Sequence, residues 1–129
     1  MASRPSIFLL HSEPALLQSL QALFYRAGYN ARAYQDLHAL IRSIAPKDIK
    51  DGAIVANAQQ PEMQTNVLVE LLSAAQPRLP IILLAARSDI ATAVQALKSG
   101  ASHFIEMPVV DRILLEEVEN AIARPGHYA

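Results

Sequence analysis

Three short apolar runs, Ser6-Ile-Phe-Leu-Leu10, Ala53-Ile-Val-Ala56 and Ile81-Ile-Leu-Leu84, lie between stretches whose apolar residues recur at helical spacing. That alternation constrains the fold more than any other feature. Such runs are too short for helices and lack the polar alternation of a half-exposed strand, so they read as strands covered on both faces. Strands of that kind joined by helices make βαβ units, which imply a parallel sheet with helices on either side.

The segments between the runs supply the rest. Leu16, Leu17, Leu20, Leu23, Phe24 and Ala27 form a first helical stripe. Ser12 is read as its cap, Glu13 suits the positive helix end, Pro14 fits the first turn and Gly28 stops it. Tyr29 to Tyr34 alternates weakly, and its polar Asn30 and Arg32 suggest a strand near an edge. Asp36 caps a short helix with Leu37, Leu40, Ile41 and Ile44 inward, ended by Pro46. Lys47 to Asp51 reads as a solvent loop leading through Gly52 into the third strand. Val67, Leu68, Leu71, Leu72 and Ala75 make a third stripe that stops before Pro77 and Pro80. Asp89 is expected to cap a fourth helix with Ile90, Val94 and Leu97 inward and Lys98 near its end, before Gly100. His103-Phe-Ile-Glu106 is a fifth strand, Met107-Pro108 turns the chain, and Asp111 opens a fifth helix carrying Leu114, Leu115, Val118, Ala121 and Ile122. The expected fold is α/β, a doubly wound five-stranded parallel sheet with helices on both faces. Periodicity leaves the strand order open. One domain accounts for residues 1–129, with a core over about 6–123 and a short flexible tail at 124–129.

Composition removes several function classes. The formal net charge of -1 and 18% charged residues give no broad basic surface, so direct nucleic-acid binding is not expected. With no cysteine there are no disulfides, thiolate metal sites or cysteine nucleophiles. No apolar run approaches a membrane span and Met1-Ala-Ser-Arg4 lacks a signal-peptide layout, which points to a cytoplasmic chain. Aromatics at 5% leave little for stacking platforms.

In open α/β sheets ligands sit at the carboxyl ends of the strands. Those ends carry His11 and Ser12, Asn57, Ala85 and Met107. His11-Ser-Glu-Pro-Ala15 has no glycine for a phosphate cradle. One imidazole, a hydroxyl and an amide offer a divalent cation little charge, and Ser12 lacks an arranged base and acid for nucleophilic chemistry.

The order of these segments resembles a receiver domain of the two-component response regulators, nearest to receivers of helix-turn-helix transcription factors. The likeness covers about Ser6 to Ala123. His11-Ser12-Glu13-Pro14 stands where the family carries two aspartates and often Glu-Pro. Asn57, four residues before Pro61, stands at the phospho-accepting aspartate. Pro80-Ile-Ile-Leu-Leu-Ala85-Ala86 resembles the fourth-strand run that normally ends in Thr or Ser. Lys98-Ser-Gly100-Ala101-Ser-His-Phe104-Ile-Glu-Met107-Pro108 resembles Lys-Ala-Gly-Ala-x-x-Phe-x-x-Lys-Pro. The resemblance implies a flavodoxin-like (βα)5 fold, and by family habit a cis Met107-Pro108 bond.

In a working receiver the first-strand acids and acceptor hold magnesium, and the hydroxyl and lysine bind the phosphoryl group. Here those positions read His11, Ser12, Asn57, Ala85 and Met107. The expectation is an atypical pseudo-receiver with no catalytic residue, no Mg2+ or other cofactor, and no acyl phosphate. His11 is read as a hydrogen-bonded residue at the pocket rim, the alternatives being a ligand or a substitute acceptor. His38, His103 and His127 are scattered, with no metal pattern. The loop at Gln64-Thr-Asn-Val67 looks longer than the family's. Phe104 holds the switch-aromatic position. Family habit also implies homodimerisation through the fourth helix, fifth strand and fifth helix, with Gln95, Lys98, Phe104, Asp111, Arg112, Glu116 and Glu119 as candidate contacts. The expected role is a phosphorylation-independent dimerisation and interaction module regulating a DNA-binding output domain. Two alternatives are a stand-alone adaptor for a histidine kinase or another regulator, and a small-molecule-sensing pseudo-receiver.

Overall fold

The computed structural model describes residues 4–45, 49, 51–61 and 63–123. Its elements in order are β1 (Ser6–Leu10), α1 (Pro14–Arg26), β2 (Asn30–Tyr34), α2 (Leu37–Ile44), β3 (Gly52–Asn57), α3 (Thr65–Ala75), β4 (Ile81–Ala85), α4 (Ile90–Leu97), β5 (His103–Glu106) and α5 (Asp111–Ala123), with a 3-10 turn at Arg87–Asp89 before α4. All neighbouring strands pair in parallel, in the order β2-β1-β3-β4-β5. The weakly alternating β2 is an edge strand as expected, and β5 is the other edge.

Alternation along the central strands divides the interior into two layers. Ile7 and Leu9, Ala53 and Val55, and Ile82 and Leu84 turn to the side covered by α1 and α5. Phe8 and Leu10, Ile54 and Ala56, and Ile81, Leu83 and Ala85 face α2, α3 and α4. Burying a Leu, Ile or Phe side chain stabilises by roughly 1.5–3 kcal/mol, so these doubly covered strands carry most of the driving force. Gly52 begins β3 opposite Ser6, and a Cβ there would collide with the Ser6 carbonyl oxygen. The close approach of the two strands, rather than an unusual φ, demands glycine at this position.

Three helix faces differ from expectation. In α3 the buried residues are Thr65, Leu68, Val69 and Leu72, whereas Val67 and Leu71 are exposed. Both stripes satisfy helical spacing; the Thr65 hydroxyl, which donates to the Ala58 carbonyl at 2.9 Å, goes with the observed rotation. In α4 the small Ala93 and Ala96 face inward, and Val94 and Leu97 are left outside. Ala27 is exposed just past the last turn of α1.

The caps differ too. Asp36 accepts from the Ala39 N–H at 3.1 Å, as read from the sequence. Ser12 does not cap α1: Glu13 holds that place, without a side-chain bond of its own. Asp89 makes no side-chain cap because the 3-10 turn precedes α4. Gly28 and Gly100 stop their helices at φ 97° and 121°, a region other residues enter at a cost. The Met107-Pro108 bond is cis. Pro46, Lys47, Lys50 and the 124–129 tail lie outside the described residues.

Candidate functional site

Parallel pairing carries the ends of β1, β3, β4 and β5 to one edge of the sheet. The Leu10–Ala56 register puts His11 beside Asn57, and the ladder continues past the strands through short backbone bonds. The His11 N–H donates to the Tyr34 carbonyl at 3.1 Å, the Ala58 N–H to Leu84 at 2.8 Å and the Met107 N–H to Ala85 at 2.8 Å. His11, Asn57, Ala85 and Met107 therefore form a row across the strand tips. Ala85 and His11 are buried, Asn57 and Met107 half-buried, and Ser12 exposed.

Each polar member of the row is engaged by neighbouring chain. His11 Nδ1 accepts the Glu13 N–H at 3.0 Å, closing the turn from β1 into α1. Only an imidazole with an unprotonated Nδ1 can accept that bond. Burial pushes the His11 pKa below its ordinary value, and the upward pull of the Glu13 carboxylate is the smaller influence. Asn57 Nδ2 donates to the Gln59 carbonyl at 3.0 Å, while Gln60 Nε2 donates to the Asn57 carbonyl at 3.0 Å. The loop folds back on itself through a Gln60–Met63 bridge, and Thr65 ties the start of α3 to Ala58. Among the described residues no buried side-chain polar atom lacks a partner.

Sequence reasoning assigned no part here to Gln60 or Thr65. Thr65 stood in a stretch read as loop, although a β-branched hydroxyl just before an apolar stripe is a helix-start signal. Met107 packs with the apolar cluster under α1 and α5. Phe104 is half-buried and lies against the opposite cluster, which contains Ala85.

Magnesium takes oxygen ligands, with carboxylates supplying the charge. The row offers an occupied imidazole nitrogen, an amide, a methyl group and a thioether, so it does not fit that ion. Among the described residues no three His, Cys, Asp or Glu side chains are grouped to hold a metal.

The response regulator receiver domain model matches residues 7–119. The chain belongs to that family. Its curated relatives include the transcriptional regulatory protein FixJ of Rhizobium meliloti, 28% identical over 90% of this chain and 56% of the relative. Another is the C4-dicarboxylate transport transcriptional regulatory protein DctD of the same organism, 26% identical over 94% of this chain and 26% of the relative. Full-length FixJ from B. japonicum superposes with a TM-score of 0.84 at 26% identity, over 95% of this chain and 59% of that one. The receiver described here thus spans little more than half of the FixJ relatives and about a quarter of DctD. The CheY-like receiver of Methanospirillum hungatei, at 21% identity and a TM-score of 0.83, shares the fold.

Away from the strand tips, the receiver leaves Gln95 and Lys98 exposed on and just after α4, and Asp111, Arg112, Glu116 and Glu119 exposed on α5. Arg112 and Glu116 pair with each other at 3.2 Å, and the Glu119 charge is felt by the Tyr29 phenol. Burial, then Glu119, then Asp51 raise that phenol's pKa. His103 lies 3.4 Å from Glu117 and Arg87 3.9 Å from Glu106, tying β5 to its neighbours. The sequence placed Val94 and Leu97 inside and did not single out Val110 or Ile113, yet all four are exposed apolar residues of α4 and the start of α5. No helix among the described residues is long and apolar enough to cross a membrane.

Proposed function

We propose that this receiver works without phosphorylation, as a binding and dimerisation module that controls a DNA-binding output domain in transcription. The observation that carries the reading is the neutral row His11, Asn57, Ala85 and Met107, whose polar side chains bond to the adjacent chain. An amide is a much poorer nucleophile than a carboxylate, and no charged group in the row compensates a transferring phosphoryl group. Control of transcription is supported by relatives named as transcriptional regulatory proteins. The module acts by binding rather than by catalysis, needs no Mg2+, and makes no nucleic-acid contact of its own.

Exposed Val94 and Leu97 on α4, with Val110 just before α5 and Ile113 within it, support a homodimer through the α4-β5-α5 face. Gln95, Lys98, Phe104, Asp111, Arg112 and Glu116 supply its polar and aromatic surroundings. The decisive experiment incubates the chain with acetyl phosphate and magnesium and reads its intact mass. Neither the native chain nor Asn57→Asp is expected to gain a phosphoryl group. A phosphorylated native chain would overturn the reading, and a readily phosphorylated Asn57→Asp would show that the remainder of the pocket is still competent.

A further inference from the structure

A second recess lies away from the strand-tip row, between α1 and the turn from β5 into α5. It is a cleft of about 500 Å³, within the usual range for small-molecule sites, which is roughly 300–1,000 Å³. Leu20, Leu23, Met107 and Val109 give it apolar walls. Three polar side chains line it as well: Ser19 and Arg26 from α1, and Asp111 from the start of α5. Neither the Arg26 nor the Asp111 side chain has a hydrogen-bond or ion-pair partner among the described residues. Leu16 and Arg26, at opposite ends of the helical wall, are ten residues apart, which at 1.5 Å per residue is about 15 Å.

We propose that this cleft binds a small monocarboxylate with an apolar body. The Arg26 guanidinium offers a planar fork that matches a carboxylate, and the Ser19 hydroxyl, about two turns earlier on the same face of α1, is a further donor along the cleft. The walls take the hydrocarbon part. Asp111 at the start of α5 disfavours a second anionic group, so a dicarboxylate of equal length binds less well. Met107 is the shared element: its side chain lines the cleft and its N–H holds the Ala85 carbonyl at 2.8 Å, so the ligand touches the residue that anchors the tip of β5. The site stands whether or not Asn57 can be phosphorylated.

Octanoate is the probe, with suberate and octylamine as charge controls, in titrations of the labelled chain followed by amide NMR shifts. Octanoate should shift amides of Leu16–Arg26 and Met107–Asp111 in a saturable way. Arg26→Gln, on an exposed position, should weaken it about tenfold, the loss of one charge-assisted contact. Asp111→Asn should bring suberate toward octanoate. Ser19→Phe, which fills the cleft from an exposed position, should abolish binding while leaving the melting temperature near that of the native chain. No saturable shift by about 10 mM, an affinity too weak to signal a built site, would overturn the proposal. So would octylamine binding as well as octanoate, or Arg26→Gln binding unchanged. Loss of self-association in Ser19→Phe without any octanoate binding would assign the cleft to a second copy of the chain and equally overturn it.

Discussion

The His11 imidazole should make the stability of this receiver depend on pH in a way that one substitution removes. Its Nδ1 accepts the Glu13 N–H at 3.0 Å and is buried, so protonation both destroys the acceptor and leaves a charge out of water. Because burial holds the folded pKa below the ordinary 6.5, the unfolded chain takes up the proton first as pH falls. The stabilising contribution is complete above about 6.5 and is lost as pH drops through the folded pKa. A net hydrogen bond is worth about 1 kcal/mol. With a urea slope of roughly 1.5 kcal/mol/M for a domain of this size, the unfolding midpoint should fall by about 0.7 M as pH drops from about 8 through the folded pKa. Asparagine bonds the backbone N–H two residues on and does not titrate, so His11→Asn should match the native chain at pH 8 and lose this part of the pH dependence. His11→Ala should lose about 1 kcal/mol already at pH 8. Running the series in a His103→Gln background removes the other described histidine that faces a carboxylate, Glu117. If His11→Asn and the native chain lose the same stability on acidification, the imidazole is not the responsible group.

Four further outcomes can be checked. Gly52→Ala drives a Cβ into the Ser6 carbonyl oxygen in the middle of the sheet and should cost about 3 kcal/mol in urea unfolding. Thr65→Val keeps the shape of a buried residue but strips the donor from the Ala58 carbonyl, for about 1–2 kcal/mol by the same measurement. Val94→Asp and Leu97→Asp should leave the fold intact, since both residues are exposed, and should convert a dimer into a monomer by light scattering; unchanged self-association would move the interface elsewhere. Met107→Lys puts an ammonium against an apolar cluster and should cost about 1–2 kcal/mol, less when Asn57→Asp supplies an opposite charge; strict additivity in that double-mutant cycle would show that the two positions do not sense each other.

The strands were legible because a doubly covered strand has a signature no other element imitates at that length: β1, β3 and β4 are nearly continuous apolar runs, and β2, with Asn30 and Arg32, announces itself as an edge. Helix rotation was less legible. Apolar residues at positions 67, 68, 69, 71 and 72 allow two stripes, and periodicity alone does not choose between Val67 with Leu71 and Val69 with Leu72. In α4 size misled: the larger Val94 and Leu97 look like core residues, yet only Ala93 and Ala96 are buried, and a Cβ added at Gly100 after the helix would already touch Val69 and Ser73 of α3. A sequence pattern records which faces are apolar, and the packing distance between helices decides which of two apolar faces is buried.

The membership of the strand-tip row was readable because parallel strands of known direction put their carboxyl ends at one edge, whatever their lateral order. What the sequence could not carry is how each polar group is satisfied. Ser12 has the better capping chemistry, but it is exposed, and the bond that closes the turn comes from His11 one residue earlier. Asn57 spends its amide on the loop that follows rather than on the pocket it borders. These two local bonds give the neutral row its physical sense. Clustered carboxylates repel one another and hold a shape only when a cation joins them, whereas the His11 and Asn57 side chains each make a hydrogen bond to the backbone two residues along and bring no like charges together. Under the proposed function such a pocket offers a phosphoryl group no differential affinity between two conformations, and without such a difference no equilibrium is shifted. Under the proposed reading, any signal this receiver transmits enters through surfaces that still bear unpaired charge or exposed apolar residues: the α4-β5-α5 face and the cleft beside α1.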